Sequence, residues 1–291
     1  MRVDAGCYNE EVAVLLALSS AVVYGASDFL GGLASRRTSV FGVVALSQLV
    51  GLVALLVLLP WLGGPVDAAD LGWGVAAGLA GAAGLVVFFR ALAGGVMSVV
   101  APVTAVTAAA VPVLVGLASG EEIGTWAGVG IALALVAVVL VSAESGLAAL
   151  RAARPATLAP ALLAGAMFGL FFVLLDRTSA DAGLTPLVTA RLASVSLVVV
   201  LALAGRQSLR VTRSALPLVA VSGVGDMTAN ALFLLATQAD GQLAITGVLA
   251  SLYPVSTVVL AQVVLRERLV GAQVAGLLAA ATAVVLITLP A

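Results

Sequence analysis

Apolar runs of membrane-spanning length follow one another along this chain, separated only by short polar, glycine or proline breaks. They mark ten segments, at roughly 12–34, 39–60, 70–92, 95–118, 124–143, 157–175, 184–204, 215–237, 243–265 and 269–289. About 20 mainly apolar residues carry a helix across a hydrocarbon core about 30 Å thick. Backbone exposed to lipid at that depth must be helical, because an open strand would leave peptide groups unpaired. The pattern therefore predicts an all-α, polytopic membrane protein with ten transmembrane helices. The longest polar connector, Glu144 to Thr157, is too short to hold a soluble domain.

The segments repeat. A shift of 146 residues lays Gly95 on Gly241, Glu121 on Glu267 and Gly130 on Gly276. Tyr24-Gly25 in the first span meets Phe168-Gly169 in the sixth at a shift of 144, with one two-residue gap. This predicts two five-helix halves, 1–146 and 155–291. Because five is odd, the second half enters the membrane from the opposite side, giving the inverted repeat common among secondary transporters, with a substrate site between the halves. Arginine placement sets the orientation. After the odd-numbered spans lie Arg36, Arg37, Arg90, Arg151, Arg154, Arg206, Arg210, Arg213, Arg266 and Arg268, whereas the other face has only Arg2 and Arg177. The odd loops are thus expected in the cytoplasm and both termini outside.

Composition narrows the chemistry. The 291 residues are 63% hydrophobic and 9% charged, against about a quarter charged in soluble domains. Histidine is absent, and the thirteen basic residues are all arginine. With no histidine and the single cysteine Cys7, the usual zinc, haem and iron–sulfur ligand sets cannot be assembled, nor can an internal disulfide. Lacking lysine, the chain cannot carry a Schiff base or a P-loop, so it is not expected to power itself with ATP. No cofactor, metal or nucleic-acid partner is expected, only a small-molecule substrate and the lipid bilayer; the sequence carries no sign of oligomeric state. The first apolar stretch ends at Arg36-Arg37 rather than at a cleavage site and reads as a retained helix.

Against this apolar background a few residues stand out. Asp28 lies inside the first span, where an ionised carboxylate is costly and usually faces a cavity or a partner. Ser20, Tyr24, Ser27, Asp28 and Gly31 fall within about a third of the helix circumference at about 100° per residue. They make a polar stripe that could bind substrate or proton, unless Asp28 simply reaches toward Arg36 and Arg37. In the eighth span Ser222, Asp226, Asn230 and Thr237 share a face, with Asp226 the deepest acid. The repeat places Ala80 opposite Asp226 and Phe172 opposite Asp28, so neither carboxylate is duplicated. Arg191 is the only deep basic residue, and Asp226 is its nearest partner by depth, in either a structural or a switchable ion pair. Gln48 and Tyr253 are further cavity candidates. Pro102, Pro112 and Pro254 permit kinks, and Gly74, Gly78 and Gly81 form a small-residue packing seam.

Coupling must come from a gradient, and protons suit it. A carboxylate moved into low-dielectric surroundings has its charged form disfavoured, so it can take up a proton facing one side and release it facing the other. A standing ion pair with Arg191 would disqualify Asp226 and leave Asp28 as the coupling residue, with its polar stripe supplying substrate contacts. A different class is also suggested: residues 223–226 read Gly-Val-Gly-Asp, the G-x-G-D string of intramembrane aspartyl proteases, with Asp28 as a second carboxylate. That chemistry needs two carboxylates sharing a proton, and the Tyr-Asp partner motif is absent. A non-transporting scaffold is the remaining alternative.

Three segments carry a family resemblance: VVYGASDF, FFRALAGGVMSVVAPVTA leading to GEEIGTWAGVGIALALVAVVLVS, and FLLATQADGQLAITGVLASLYPVSTVVLAQVVLRERLVGAQVAGLLAAATAVVLI. The chain resembles the EamA-type branch of the drug/metabolite transporter superfamily over nearly its whole length. The resemblance implies an exporter or facilitator of amino acids, other metabolites or drugs in a bacterial inner membrane, with a cavity between the halves. It also implies a structural cast for the arginine of PLVTAR, Arg191. Two features depart from it: Ala108 stands where the first half would match Pro254, and the resemblance implies cytoplasmic termini where the arginine count places them outside. The count is kept because it comes from this chain. Reporter fusions after Arg37, Arg154 and Arg213 are expected to behave as cytoplasmic, and fusions near Asp67, Glu121 and the C-terminus as external. A cytoplasmic C-terminus would overturn this orientation.

Overall fold

The computed structural model describes residues 5–65, 67–94, 97–142, 155–239, 241–266 and 268–289. Its helices are α1 (Ala5–Ser35), α2 (Val40–Leu62), α3 (Ala68–Gly94), α4 (Met97–Ala118), α5 (Thr125–Ser142), α6 (Pro155–Asp176), α7 (Thr185–Ala204), α8 (Leu216–Gln238), α9 (Leu243–Ala250), α10 (Tyr253–Leu265) and α11 (Gly271–Ile287). These are the ten expected spans, with the ninth divided between α9 and α10. Among the described residues nine stretches are long and apolar enough to cross a membrane, and α11 is a shorter apolar helix of 17 residues. Among the described residues there is no strand, only one isolated bridge between Gly63 and Gly183. Starts are set by local chemistry: Ser39 caps α2, and Pro186, Pro217 and Pro254 sit in the first turns of α7, α8 and α10, where a missing N–H costs nothing.

The ninth span, expected over 243–265, is divided just before Pro254, one of the three prolines expected to permit a kink. Pro254 has no N–H, and its ring clashes with the carbonyl four residues back in a continuous helix. The chain turns at Ser251 and Leu252 instead, with Leu252 N–H donating to the Leu249 carbonyl at 3.2 Å and Val255 N–H to the Leu252 carbonyl at 2.9 Å. In contrast, α4 runs unbroken through Pro102 and Pro112.

Helix packing is almost entirely between halves. α1 lies along α8 and α3 along α6; α2 meets α8 and α3 meets α7; α1 meets α9 and α10, and α4 meets α6. α2 with α7, α4 with α9 and α5 with α11 pair with their own repeat equivalents. Exchanging the halves maps this set onto itself, which is the signature of a two-fold relation between them. The predicted shift of 146 recurs in atomic detail. A Cβ on Gly130 would lie 2.7 Å from Ile287 Cγ1, and one on Gly276 would lie 2.7 Å from Val141 Cγ2; Ile287 and Val141 are themselves 146 apart. Gly120 and Arg266, another such pair, both adopt positive φ, at 90° and 57°, where their helices end. Gly95 and Glu267, the remaining markers, lie outside the described residues, as do Arg2, Arg151 and Arg154.

Hydrogen bonds tie loops of like parity together. At the odd-loop end Thr38 Oγ1 donates to the Arg210 carbonyl at 2.9 Å and Ser39 Oγ donates to the Ser208 carbonyl. At the even-loop end the Asp70 carboxylate accepts from Ser179 N–H at 2.7 Å and Ser179 Oγ at 2.8 Å. Glu121 accepts from Leu243 N–H at 2.8 Å and Ala244 N–H at 3.0 Å, placing a carboxylate on the N-terminus of α9. This cap holds a helix of only eight residues, too short to persist by propensity alone. Leucine at Gly130 or at Gly276 is expected to cost about 1–3 kcal/mol through overpacking. Gly72 has nothing within 4 Å of its added Cβ and should accept leucine. Thermal unfolding of the purified protein in detergent would show both glycine-seam variants melting several degrees below Gly72→Leu.

Candidate functional site

The site lies where α1, α2, α7, α8 and α10 meet, and it is defined by which polar groups packing uses up. On α1 the expected stripe divides. Ser20 Oγ donates to the Ala229 carbonyl at 2.8 Å, Ser27 is buried against Gly225, and Gly31 lies close to Ser222. These three residues belong to the α1–α8 seam, which corrects the expectation that the whole stripe would contact substrate. Ser222 in turn donates to the Ser27 carbonyl at 2.9 Å. Asn230 is 4% exposed and donates its amide to the Asp226 carbonyl at 2.7 Å, while Thr237 donates to Leu234. In low-dielectric surroundings such groups bond locally because an unmade hydrogen bond is expensive.

Six candidates remain accessible. Asp226 forms an ion pair with Arg191, the guanidinium side chain being 12% exposed and the carboxylate side chain 33%. Next to it Ser194 Oγ donates to Gln48 Oε1 at 2.6 Å and lies 3.2 Å from the Arg191 carbonyl, joining α2 to α7. Asp28 is exposed although it lies well inside a spanning helix. Among the described residues it makes no hydrogen bond and no ion pair, so the alternative in which it reaches Arg36 or Arg37 is not adopted. Tyr24 and Tyr253 bring their ring centroids to 6.3 Å with planes at 56°, and Phe172 meets Tyr24 edge-on at 6.2 Å. Tyr24 lies within electrostatic range of Asp226, Arg191, Asp28 and Tyr253, and Asp28 within range of Asp226. The tyrosine hydroxyls, like the Asp28 carboxylate, have no hydrogen-bond partner among the described residues.

Close backbone approach builds this arrangement. A Cβ on Gly25 would strike Ser256 Oγ and the Tyr253 carbonyl, and Thr257 Oγ1 donates to the Gly25 carbonyl at 3.1 Å. Tyr24 is thereby drawn against Tyr253. The repeat equivalent of Asp28, Phe172, is 8% exposed and packs on Phe233 at 4.5 Å, so the same position is a carboxylate in one half and core in the other. Sequence reasoning named Phe172 only as the repeat equivalent of Asp28 and missed Ser194, which lies one helical turn from Arg191, the signal that could have found it. Two surface clefts, one beside Pro102 and one beside Val221, are apolar and contain none of the candidates.

Two halves of apolar helices that pack mainly on each other form an architecture common among membrane transporters built from internal repeats. The EamA-like transporter family matches the chain twice, over residues 11–143 and 157–289. The chain belongs to that family, which makes it a multi-pass membrane transporter of the drug/metabolite type. A solved structure described as "Crystal structure of protein" superposes with a TM-score of 0.79 over 96% of this chain and 97% of its own, at 16% identity, so the two share a fold. No curated protein sequence matches the chain. The family consists of transporters rather than enzymes. The protease reading also lacks its dyad here, because Asp226 is engaged by Arg191 instead of sharing a proton with Asp28.

Removing one partner of a buried ion pair costs about 3–5 kcal/mol because it strands the other charge. With the Asp226 side chain a third exposed, a smaller cost, on the order of 2 kcal/mol, is expected for Asp226→Asn or Arg191→Gln. The double variant should be more stable than the sum of the two implies, by on the order of 1–3 kcal/mol of coupling. Unfolding midpoints of the four proteins of this cycle would measure it, and additive losses would show that the pair contributes nothing.

Proposed function

We propose that the protein moves small metabolites, amino acids or drugs among them, across a bacterial inner membrane by coupling their export or facilitated passage to protons at Asp28. The observation that carries this reading is the division of labour between two carboxylates. Asp226 is held by Arg191, whereas Asp28 is exposed within its spanning helix and has no ion-pair partner among the described residues. Asp226 on α8 and Tyr253 on α10 lie within electrostatic range of Asp28. A carboxylate so placed can accept a proton while the cavity faces one side and release it when it faces the other. Tyr24, Gln48 and Tyr253 border the space a substrate would occupy, while Arg191 and Asp226, with Asn230 bonded behind them, form its charged wall. The two units, 1–146 and 155–291, are proposed to rock against each other about this site. The arginine asymmetry supports an orientation with both termini external.

Comparing metabolites inside and outside cells that overproduce or lack the protein identifies a transported solute. In proteoliposomes an imposed pH gradient is then expected to drive accumulation of that solute. Asp28→Asn should keep solute exchange and lose gradient-driven accumulation, while Asp226→Asn should keep coupling at reduced stability. Accumulation by Asp28→Asn equal to the parent would sink proton coupling through this residue.

A further inference from the structure

The odd-loop end of the bundle carries a second concentration of charge. The α1–α2 loop holds Arg36 and Arg37, and the α7–α8 loop holds Arg206, Arg210 and Arg213, all exposed. No acidic residue occurs in the surrounding stretches 29–66 and 182–225. Among the described residues none of the five guanidinium groups makes an ion pair or a hydrogen bond. The two loops are nevertheless tied into one unit. Thr38 Oγ1 donates to the Arg210 carbonyl at 2.9 Å and accepts from Thr212 N–H at 3.2 Å. A Cβ on Gly42 would lie 2.9 Å from that same carbonyl, and Ala34 packs with Val43, Ala215 and Val219 beneath the loops. Arg206, one residue past the C-cap Gly205 of α7, takes a left-handed backbone at φ 51°, which glycine would adopt at lower cost. Five like charges gathered on two tied loops repel one another until anions from outside the chain offset them.

A surface cleft continues from this patch into the membrane. It is apolar, holds about 380 Å³ and is lined by Ala220, Val221, Val224 and Gly225 of α8. At about 1.5 Å per residue it covers roughly 6 to 14 Å of helix beyond Leu216, which directly follows the 3-10 turn Arg213–Ala215. Pro217, also exposed, shares that helix face between the cleft and Arg213. We propose that the arginine patch and the cleft together hold one anionic phospholipid, its phosphate on the guanidinium groups and an acyl chain along α8. Placement selects the occupant. Arg36 directly follows the last residue of α1 and Arg213 stands three residues before α8, so these loops lie where spanning helices leave the hydrocarbon core, at headgroup depth. A free phosphate or an acidic peptide would meet the arginines and leave the cleft empty. A zwitterionic lipid would fill the cleft and bring no net negative charge. The site goes beyond the transport reading and stands whichever solute is carried and whether or not Asp28 couples protons.

The test titrates the purified full chain in neutral detergent with acyl-labelled phosphatidylglycerol or phosphatidylcholine and reads fluorescence anisotropy. The anionic lipid is expected to bind at least about tenfold more tightly at low ionic strength, and added salt should shrink that preference. Arg36→Gln, Arg37→Gln and Arg213→Gln should each weaken it by about fivefold, whereas Arg268→Gln, on another odd loop, should change it by less than about twofold. Arg206→Gly should weaken it to a similar extent while melting no lower than the parent, because glycine relieves the left-handed backbone. Loss of binding in that variant is therefore not misfolding. Val224→Trp fills the cleft from an exposed position and should weaken the anionic lipid by at least about fourfold, the equivalent of one buried methylene. Glycerol phosphate and an oligoglutamate peptide, added as competitors, should displace the lipid only at concentrations at least about a hundredfold higher. Equal binding of the two lipids would show an unselective lipid annulus and overturn the proposal. So would Arg268→Gln costing as much as the loop variants, unchanged binding in Val224→Trp, or no binding of either lipid. Displacement by glycerol phosphate or by the peptide at concentrations like the lipid's own would assign the patch to free phosphate or to an acidic protein segment instead.

Discussion

In lipid there is no hydrophobic force between helices, so association depends on how closely backbones approach and on the polar groups they then share. Glycine supplies that approach wherever the two halves of this protein cross. Gly25 against Tyr253 and Ser256, Gly78 against the Ala190 carbonyl, Gly223 against Ser47, and Gly130 and Gly276 against each other's partner helices all lack room for a side chain. The short bonds across the seam, from Ser20, Ser222, Ser256 and Thr257 to carbonyls of the facing helix, exist because those contacts are so close. The charged site lies among these contacts, since Gly25 beside Tyr24 and Gly225 beside Asp226 both lack room for a side chain.

Within that site the balance of costs is informative. Two carboxylates and a guanidinium inside a spanning region are expensive, and a purely structural solution would pair or delete every charge. One pair is made, and one carboxylate is left over beside two tyrosines whose hydroxyls are also unpartnered. The corresponding region of the second half is filled by Phe172 and Phe233. The halves share a scaffold, but only one of them carries the unsatisfied chemistry, so symmetry governs the helices and asymmetry governs the site.

Much of this was legible in the chain. Spans emerged to within a few residues because the membrane imposes length and apolarity together, and Arg191 could be assigned to Asp226 by depth alone. The division of the ninth span was less legible. Pro254 allows a break without requiring one, and Pro112 sits in an unbroken helix, so the outcome is set by what packs around each proline. Periodicity placed Ser20, Ser27 and Asp28 on one stripe, yet only the neighbour across the seam decides which of them is consumed by packing. Glu121 was visible as a repeat marker, but its capping of α9 depends on a loop-to-helix contact more than a hundred residues apart in sequence, which no local pattern encodes.

The interleaving of the halves also has a consequence in time. The principal helix pairings join an early span to a late one, so the first five helices reach the membrane before the surfaces they are shaped to meet have been made. At roughly 5–20 residues per second, the second half takes between about 7 and 30 seconds to follow. During that interval Gly25, Gly78 and Gly130 face lipid or one another, and Asp28 has neither its tyrosine neighbour nor a seam around it. The bundle must therefore assemble late and cooperatively from spans already inserted, which makes the waiting first half the stage at which insertion factors and membrane proteases have most access to this chain.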